Sequence, residues 1–564
     1  MKIKNCFLTV LASSCILGVC AAGGCSQTAG GGEKPEWMAG KDFSKHLEIS
    51  VGYWNIEEMA ARTQPDAIQK YIEELLNITI KPVSVTWTNY KEYYQMLNAT
   101  DNLPDVFATL TISSNDSNDS AIFEDFINSG AIRPLPDDLT GYPDLNSLFD
   151  DLEYTRRQDG KYYAIPRVSF RDEILGSTDA AMLVRRDWMD NLSIDDPKNL
   201  DEFIDMITAF AKDDPDGNGI DDTLGYNVNN LVAIGKWVML GIAPECNTYT
   251  WVESDDGTFV PCWTTEGFKD VVAAYRRMYE SGGLDPDFYI KTPNAVMEDF
   301  ANGRLGALEY KSAAGSLEDL KALWDRYNDK PFDECVDILH IFPAPDGNCY
   351  SNSSFVSWSE SFISSQVDDE KMERILCLYE YLLSDEGIRL TKYGLEGEDY
   401  ELDKDGSYSC LLDTDSQSTI RILQEKYPSI YLFANLASLN GGWSDFEETE
   451  ANYLRYGRHC VTLAKKDVTW NQENTIQLER PYQFLLFPKE TSDIFSTTNA
   501  FNSFVKCIIG EEDAVLMWEK VLDGYKKQGL NEYIQRKNER YFESKEAESP
   551  AATRRSTSAC ISSR

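Results

Sequence analysis

The chain has 564 residues, with 53 Lys and Arg against 94 Asp and Glu, for a formal net charge of −41. Apolar residues make up 42% and aromatics 12%, enough to fill the cores of two large or three ordinary domains and to exclude wholesale disorder. So acidic a surface repels phosphate backbones, which excludes a nucleic-acid binder, and His46, His340 and His459 are too few for a His-built metal or relay site.

Lys2 and Lys4 form a short positive segment, and Phe7 to Val19 an apolar one of secretory-signal length, too short for a stable membrane anchor. Ala21-Ala22-Gly23-Gly24 then runs into Cys25-Ser26. Small residues leading into a cysteine resemble a bacterial lipobox, with Ala22 where that motif usually has Leu. The expectation is a signal peptide over 1–24 and a lipid anchor of the palmitate class on Cys25. Cys20 competes, but the bulkier Val19 precedes it, and an ordinary cleaved signal is the alternative. Residues 25–45 read as a flexible tether, glycine-rich at their start. No later stretch reaches the roughly 18 apolar residues of a membrane helix.

Leu47 to Tyr53 alternates with period two and predicts a strand. Pro65 to Leu76 carries Ile68, Tyr71, Ile72 and Leu75 at helical spacing, and Ile78 to Trp87 is rich in β-branched residues. Tyr90 to Leu97 predicts a helix and Asp105 to Thr111 a third strand, so the order is that of a doubly wound α/β lobe. A helix over 199–212 is expected from the Asn199 cap and the face Phe203, Met206, Ile207, Phe210. Asp368 to Leu383 and Asp513 to Lys527 predict two more, and the Ser, Ala, Glu and Arg composition near the end predicts a disordered tail over 544–564. Of 13 cysteines, eight lie in the body and none forms a C-x-x-C pair, which excludes zinc ribbons and assigns no bridge. Cys377 lies on a helical apolar face and is expected to pack as a small hydrophobe.

Met182-Leu-Val-Arg-Arg-Asp-Trp-Met-Asp190, Pro197-Lys-Asn-Leu-Asp-Glu-Phe203 and Asp214-Pro-Asp-Gly-Asn-Gly-Ile-Asp-Asp222 resemble segments of the extracellular solute-binding proteins of ABC importers. The resemblance is to family 1 lipoproteins and is greatest to the branch that includes alginate-oligosaccharide binders. Leu103-Pro-Asp-Val106, Phe300-Ala-Asn-Gly-Arg-Leu-Gly306, Ser384-Asp-Glu-Gly387 and Tyr393-Gly-Leu-Glu-Gly397 follow the family's order, so the match covers roughly 46–540. It implies a periplasmic-binding-protein-like type II fold, with two doubly wound α/β lobes joined by hinge strands. Residues 46–168 plus 351–401 would form one lobe and 169–350 plus 402–543 the other. It further implies a monomer tethered at the extracellular face of the membrane, an oligosaccharide ligand, ABC permease subunits as partners, and no catalysis.

The Asp-rich loop carries the most specific chemistry. Asp214, Asp216 and Asn218 fall at positions 1, 3 and 5 of a D-x-D-x-N-G loop, Ile220 offers a carbonyl at position 7 and Asp222 lies at position 9. Gly219 permits the sharp turn that converges them on a hard cation. Position 12 is Gly225, so the loop is not an EF-hand. In the resembled family such loops bind calcium, through these positions and the residue after the last Asp, here Thr223. A structural calcium is therefore expected; a plain Asx-turn connection is the alternative.

Sugars present flat C–H faces and a rim of hydroxyls, so aromatic platforms and polar side chains near strand ends are the candidate contacts. These are Trp54, Trp237, Trp358 and Trp443, with Asn55, Arg167, Arg171, Glu360 and Asp445. Trp188, Trp324 and Trp518 lie on helical faces and are expected in cores. Overall charge favours neutral sugars over uronates, with Arg167 and Arg171 as potential local exceptions. Nucleophile-elbow, zincin and phosphate-loop motifs are absent from the sequence. The alternatives are a carbohydrate-active hydrolase using a carboxylate pair, or a binder of peptides or other solutes.

Overall fold

Alternation of large apolar residues from Leu47 onward builds the first sheet. The computed structural model describes residues 35–548 except 61–63, 111–116, 158, 170–172, 230–233, 249–250, 255, 353–356, 405, 416, 439–444, 479–483, 485–491 and 493. The signal, Cys25, Arg171 and Trp443 therefore lie outside the described residues. The strands that matter for the site are β1 (Leu47–Trp54), β2 (Ile78–Val85), β3 (Val106–Thr109), β4 (Ala164–Val168), β5 (Ala181–Arg185), β6 (Leu224–Val228), β7 (Leu305–Tyr310), β8 (Val336–Leu339) and β9 (Ser357–Ile363).

The first sheet runs β2-β1-β3-β9-β4, with β9 antiparallel to its neighbours β3 and β4. The second runs β8-β5-β7-β6, with β6 and β7 parallel and β5 antiparallel to β7 and β8. The C-terminal edge of the first sheet thus holds Trp54, Thr109, Val168 and the start of β9. The corresponding edge of the second holds Val228, Tyr310, Ala181 and Leu339. The chain crosses between the sheets from β4 to β5 and from β8 to β9, leaving and entering by these edges. Such an arrangement turns the carboxyl ends of both sheets toward one crevice, where open α/β sheets bind ligands.

Helices cover both sheets: α1 (Ala67–Leu76), α2 (Leu200–Lys212), α3 (Ala314–Trp324), α4 (Asp369–Leu383), α5 (Thr419–Lys426) and α6 (Ser429–Leu436). Side-chain caps set the starts of α1, α2 and α4: Asp66 accepts from the Gln69 N–H, Asn199 from Glu202 and Asp368 from Lys371. In α2, Phe203, Ile207 and Phe210 have no solvent exposure. Trp188, Trp324 and Trp518 are likewise wholly buried, and so is Cys377. The eight described cysteines are all free thiols.

Three boundaries differ from expectation. The flexible tether stops short of residue 45, because Met38 packs in the first core and the Lys41 ammonium donates to the Gly141 carbonyl over the Tyr142 ring. The first core continues through Leu423, Tyr427, Ile430, Phe433 and Ala437, so α6 and one face of α5 pack with residues 38–168 and 362–412, while Ile420 and Arg421 of α5 reach the other lobe. Their apolar positions are ordinary helix periods that do not name the sheet they cover, which is why sequence placed the break near 401. The last helix spans Leu530–Glu548 and includes the first five residues of the expected tail.

Candidate functional site

The edge of the first sheet gathers an aromatic cluster. Trp54 closes β1, and its indole lies 5.3 Å from Trp87, 5.5 Å from Tyr90 and 5.8 Å from Trp358, centroid to centroid. Trp87 and Trp358 stack at 5.4 Å with 17° between their planes. Trp54 is buried, Trp358 is half-buried, and Trp87 is 40% exposed. The cluster therefore offers one open indole backed by two others. Among the described residues the buried Trp54 Nε1 has no hydrogen-bond partner.

Trp358 reaches this position through an irregularity in β9. Register shifts between Ser357 and Glu360, and Ser359 takes a left-handed backbone at φ 68°. A bulge of this kind re-aims a side chain at a strand end, and non-glycine residues in that region concentrate at functional sites. Glu360, next in line, is buried and accepts from the Thr109 hydroxyl at 2.8 Å.

Arg167 ties the cluster together. Its guanidinium sits 4.7 Å from the Trp358 centroid and 5.6 Å from Trp54. Nε donates to the Trp358 carbonyl at 3.1 Å, while Nη1 donates to the Tyr53 hydroxyl and to the Asn435 carbonyl at 2.9 Å. Burial lowers the Arg167 pKa and raises that of Tyr53 to about 12, so the phenol stays neutral near pH 7. One buried cation thus fixes β1, β4, β9 and the end of α6 in a single register.

Tyr431, on the same α6 whose Asn435 carbonyl Arg167 holds, is 47% exposed; burial raises its phenol, Arg167 pulls it down and Asp319 pushes it up. Asp319 belongs to α3 over the second sheet, and its carboxyl is raised by burial against the pull of Arg421. Tyr310, at the end of β7, feels the same Asp319 and Arg421. Arg421 of α5 reaches Glu318 and Asp319 of α3, so the two lobes meet beside Tyr431 and the aromatic cluster.

The candidates from sequence divide accordingly. Trp54, Trp358, Arg167 and Glu360 come together. Asn55 is exposed just beyond β1, with a left-handed backbone at φ 53°. Trp237 is a correction: it lies in a short buried helix, packed between Phe203 and Phe342 at 5.6 and 5.7 Å and only 4% exposed. Its loop-like sequence context hid an apolar run, Trp237 to Leu240, that belongs to the second core. Asp445 pairs with the buried Lys392 at 3.1 Å, which gives it a structural partner rather than a free face. Sequence reasoning missed Trp87 and Tyr431. The β-branched run Ile78 to Trp87 implies a strand through Trp87, but β2 stops at Val85 and the indole beyond it reaches the surface.

In the Asp-rich loop, the Gly219 N–H donates to Asp214 and the Ile220 N–H to Asn218 Oδ1 at 2.6 Å. Asn218 Nδ2 lies 2.7 Å from Asp216 and 3.4 Å from Asp222, so two carboxylates face one amide. Gly219 adopts φ 78°, as the sharp turn requires. Among the described residues, Asp214, Asp216 and Asp222 have no ion-pair partner, and no three His, Cys, Asp or Glu side chains close into a metal-sized group. The donor set is hard oxygen and suits calcium. Thr223 does not join it, because its hydroxyl donates to the Phe210 carbonyl.

No family model matches this chain. Among curated proteins it is 26% identical over 346 residues to the polygalacturonan/rhamnogalacturonan-binding protein YtcQ of Bacillus subtilis (strain 168), across 60% of this chain and 65% of that one. It is 25% identical over 499 residues to lipoprotein LipO of the same strain, covering 85% of this chain and 88% of that one. Among solved structures, alginate-binding protein AlgQ2 without calcium ion matches at TM-score 0.64 and 16% identity, covering 88% of this chain and 98% of that one. The Streptococcus pneumoniae ABC-transporter substrate-binding protein FusA in complex with kestose matches at 0.62 and 16%, covering 89% and 100%. The chain thus has the two-lobe α/β fold of periplasmic-binding-protein-like solute binders, and the resemblance read from its motifs is borne out.

Proposed function

We propose that this chain is an extracellular solute-binding protein of an ABC importer that captures an oligosaccharide between its two lobes and delivers it to a membrane permease. The observation that carries this reading is the Trp54–Trp87–Trp358 cluster at the carboxyl edge of the first sheet, with the Trp87 indole open to a ligand. A sugar's C–H face laid on Trp87 buries apolar area, and its hydroxyls meet polar groups of both lobes. Closure of the lobes favours the bound form by the ligand's extra contacts with it. Capture is reversible and breaks no bond. Lobe one is taken as residues 36–168 plus 357–437, and lobe two as 181–351 plus 446–548. Cys25 would hold the protein at the cell surface as a monomer.

The loop Asp214, Asp216, Asn218, Ile220 and Asp222 would hold a structural calcium, which supplies positive charge to carboxylates that otherwise face only an amide and backbone N–H groups. Similar proteins support this: one solved structure is of AlgQ2 without calcium ion, and another is of a FusA EF-hand mutant. The test is calorimetry and intrinsic Trp fluorescence against an oligosaccharide panel, with chromatography of the sugar afterwards. Binding with the sugar recovered intact supports the reading. Turnover of the sugar would favour the hydrolase alternative, and no binding by any sugar would remove the carbohydrate ligand.

A further inference from the structure

The two chain crossings between the sheets meet at the edge of the second sheet, around a small cavity of about 10 Å³. Ser177 belongs to the crossing from β4 to β5, and Ser351 and Asn352 to that from β8 to β9. All three line the cavity. The Asn352 Nδ2 donates to the Gly176 carbonyl at 3.2 Å, so the crossings already touch once. Ser351 is fixed by pairing with the strand Ile476–Gln477, and its carbonyl accepts from the Leu478 N–H at 3.2 Å. These side chains are placed but not satisfied. Ser351 and Asn352 are each 1% exposed and Ser177 4%. Among the described residues, Ser177 Oγ, Ser351 Oγ and Asn352 Oδ1 have no hydrogen-bond partner. Asp467 also lines the cavity, but its Oδ2 accepts from Ser312 at 2.5 Å and its Oδ1 from Asn471 at 3.0 Å.

We infer that this cavity is a binding site for one ordered water molecule, which bridges Ser177 of the first crossing to Ser351 and Asn352 of the second. Protein interiors satisfy buried polar atoms directly or through ordered water, because a bare one is costly. A buried water needs about 10–15 Å³ and two to four polar partners, and the site supplies that space and three partners. The donor and acceptor count closes: the water donates to Asn352 Oδ1 and to one serine oxygen, and accepts from the hydroxyl of the other serine. A metal ion is a poorer occupant. Asp467 is the one carboxylate on the lining and already takes two hydrogen bonds, which leaves neutral oxygens alone for a cation that favours carboxylates. The water makes the two crossings one mechanical unit, so movement of the lobes bends them together. This holds whatever solute the cleft takes.

A high-resolution crystal structure of the mature chain checks the site directly. One peak should lie about 2.6–3.2 Å from at least two of Ser177 Oγ, Ser351 Oγ and Asn352 Oδ1. No peak there, or side chains turned to pair with one another, would overturn the site. A peak with contacts near about 2.4 Å to roughly six oxygens would be a cation and would overturn the water assignment. Thermal unfolding of Ser177→Ala, Ser351→Ala and the double variant then reads the bridge in solution. Each single change deletes one partner and leaves the aromatic cluster untouched, and each should lower the melting temperature. The double variant should lose no more than about three-quarters of the two shifts added, because both residues act on the same water. Fully additive shifts, or single variants that melt like the parent, would overturn the bridge between the crossings.

Discussion

Replacing Trp87 by Ala separates ligand binding from folding more cleanly than any other change in the cluster. A Trp side chain carries up to about 250 Å² of surface, and 40% of Trp87 is open. If a sugar ring covered all of that area, roughly 100 Å² at about 25 cal/mol/Å² gives about 2.5 kcal/mol, or about 60-fold in Kd. Half coverage gives about 1.2 kcal/mol, or roughly 8-fold. The fold loses three ring pairs, with Trp358, Trp54 and Tyr90, at about 1 kcal/mol each, which is small for a chain of this size. A melting temperature within about 3 °C of the parent is therefore expected. Calorimetry with the best ligand of a sugar panel reads the first quantity, and thermal unfolding without ligand reads the second. A variant that melts like the parent and binds within twofold of it would refute the assignment of Trp87 to the ligand platform. Trp237→Phe provides the contrast: it alters the second core and should lower stability while leaving ligand affinity nearly unchanged.

Arg167→Met keeps much of the side chain's length but removes donors to Tyr53, Trp358 and Asn435, so a loss of about 2–4 kcal/mol is expected by urea denaturation, with weaker binding as Trp358 loosens. Chelation should lower the melting temperature if the Asp-rich loop holds calcium. Free calcium at 100 times its Kd adds about 2.7 kcal/mol, and Asp216→Asn should abolish the difference between chelated and calcium-loaded samples. Burial raises the Asp467 carboxyl to about 6, opposed by hydrogen bonds from Ser312 and Asn471 and by the nearby Lys466. Because its folded pKa lies above the unfolded value of 3.8, ionisation costs stability as pH rises from about 4, and that loss is complete above about 6. It amounts to at most about 3 kcal/mol. Glu309, raised by burial to about 7, acts in the same direction. Denaturation curves between pH 5 and 8 should show stability falling with pH, less steeply in Asp467→Asn; equal slopes for parent and variant would contradict the assignment.

Local pattern was enough for much of this protein. Periodicity and caps located β1, α1, α2 and α4 to within a residue or two, because amphipathic spacing and an Asp or Asn cap act over one turn of chain. The order of such units predicted two doubly wound lobes, and the turn geometry of the Asp-rich loop is carried by Gly217 and Gly219, which take φ 70° and 78°. Which side chains meet is a different matter. Trp54, Trp87, Trp358 and Arg167 come from four separate strands or strand ends, joined only by the sheet order β2-β1-β3-β9-β4. Trp237 and Trp358 both read as loop-borne in the sequence, yet one fills a core and the other stands at the sheet edge. The difference lies in a bulge at Ser359 and in the partner sheet each faces, and both are set by long-range pairing. Net charge likewise could not say whether a cleft cation is free. That depends on Arg421 of α5 reaching Glu318 and Asp319 of α3, a contact between residues about a hundred positions apart, which only the packed chain creates.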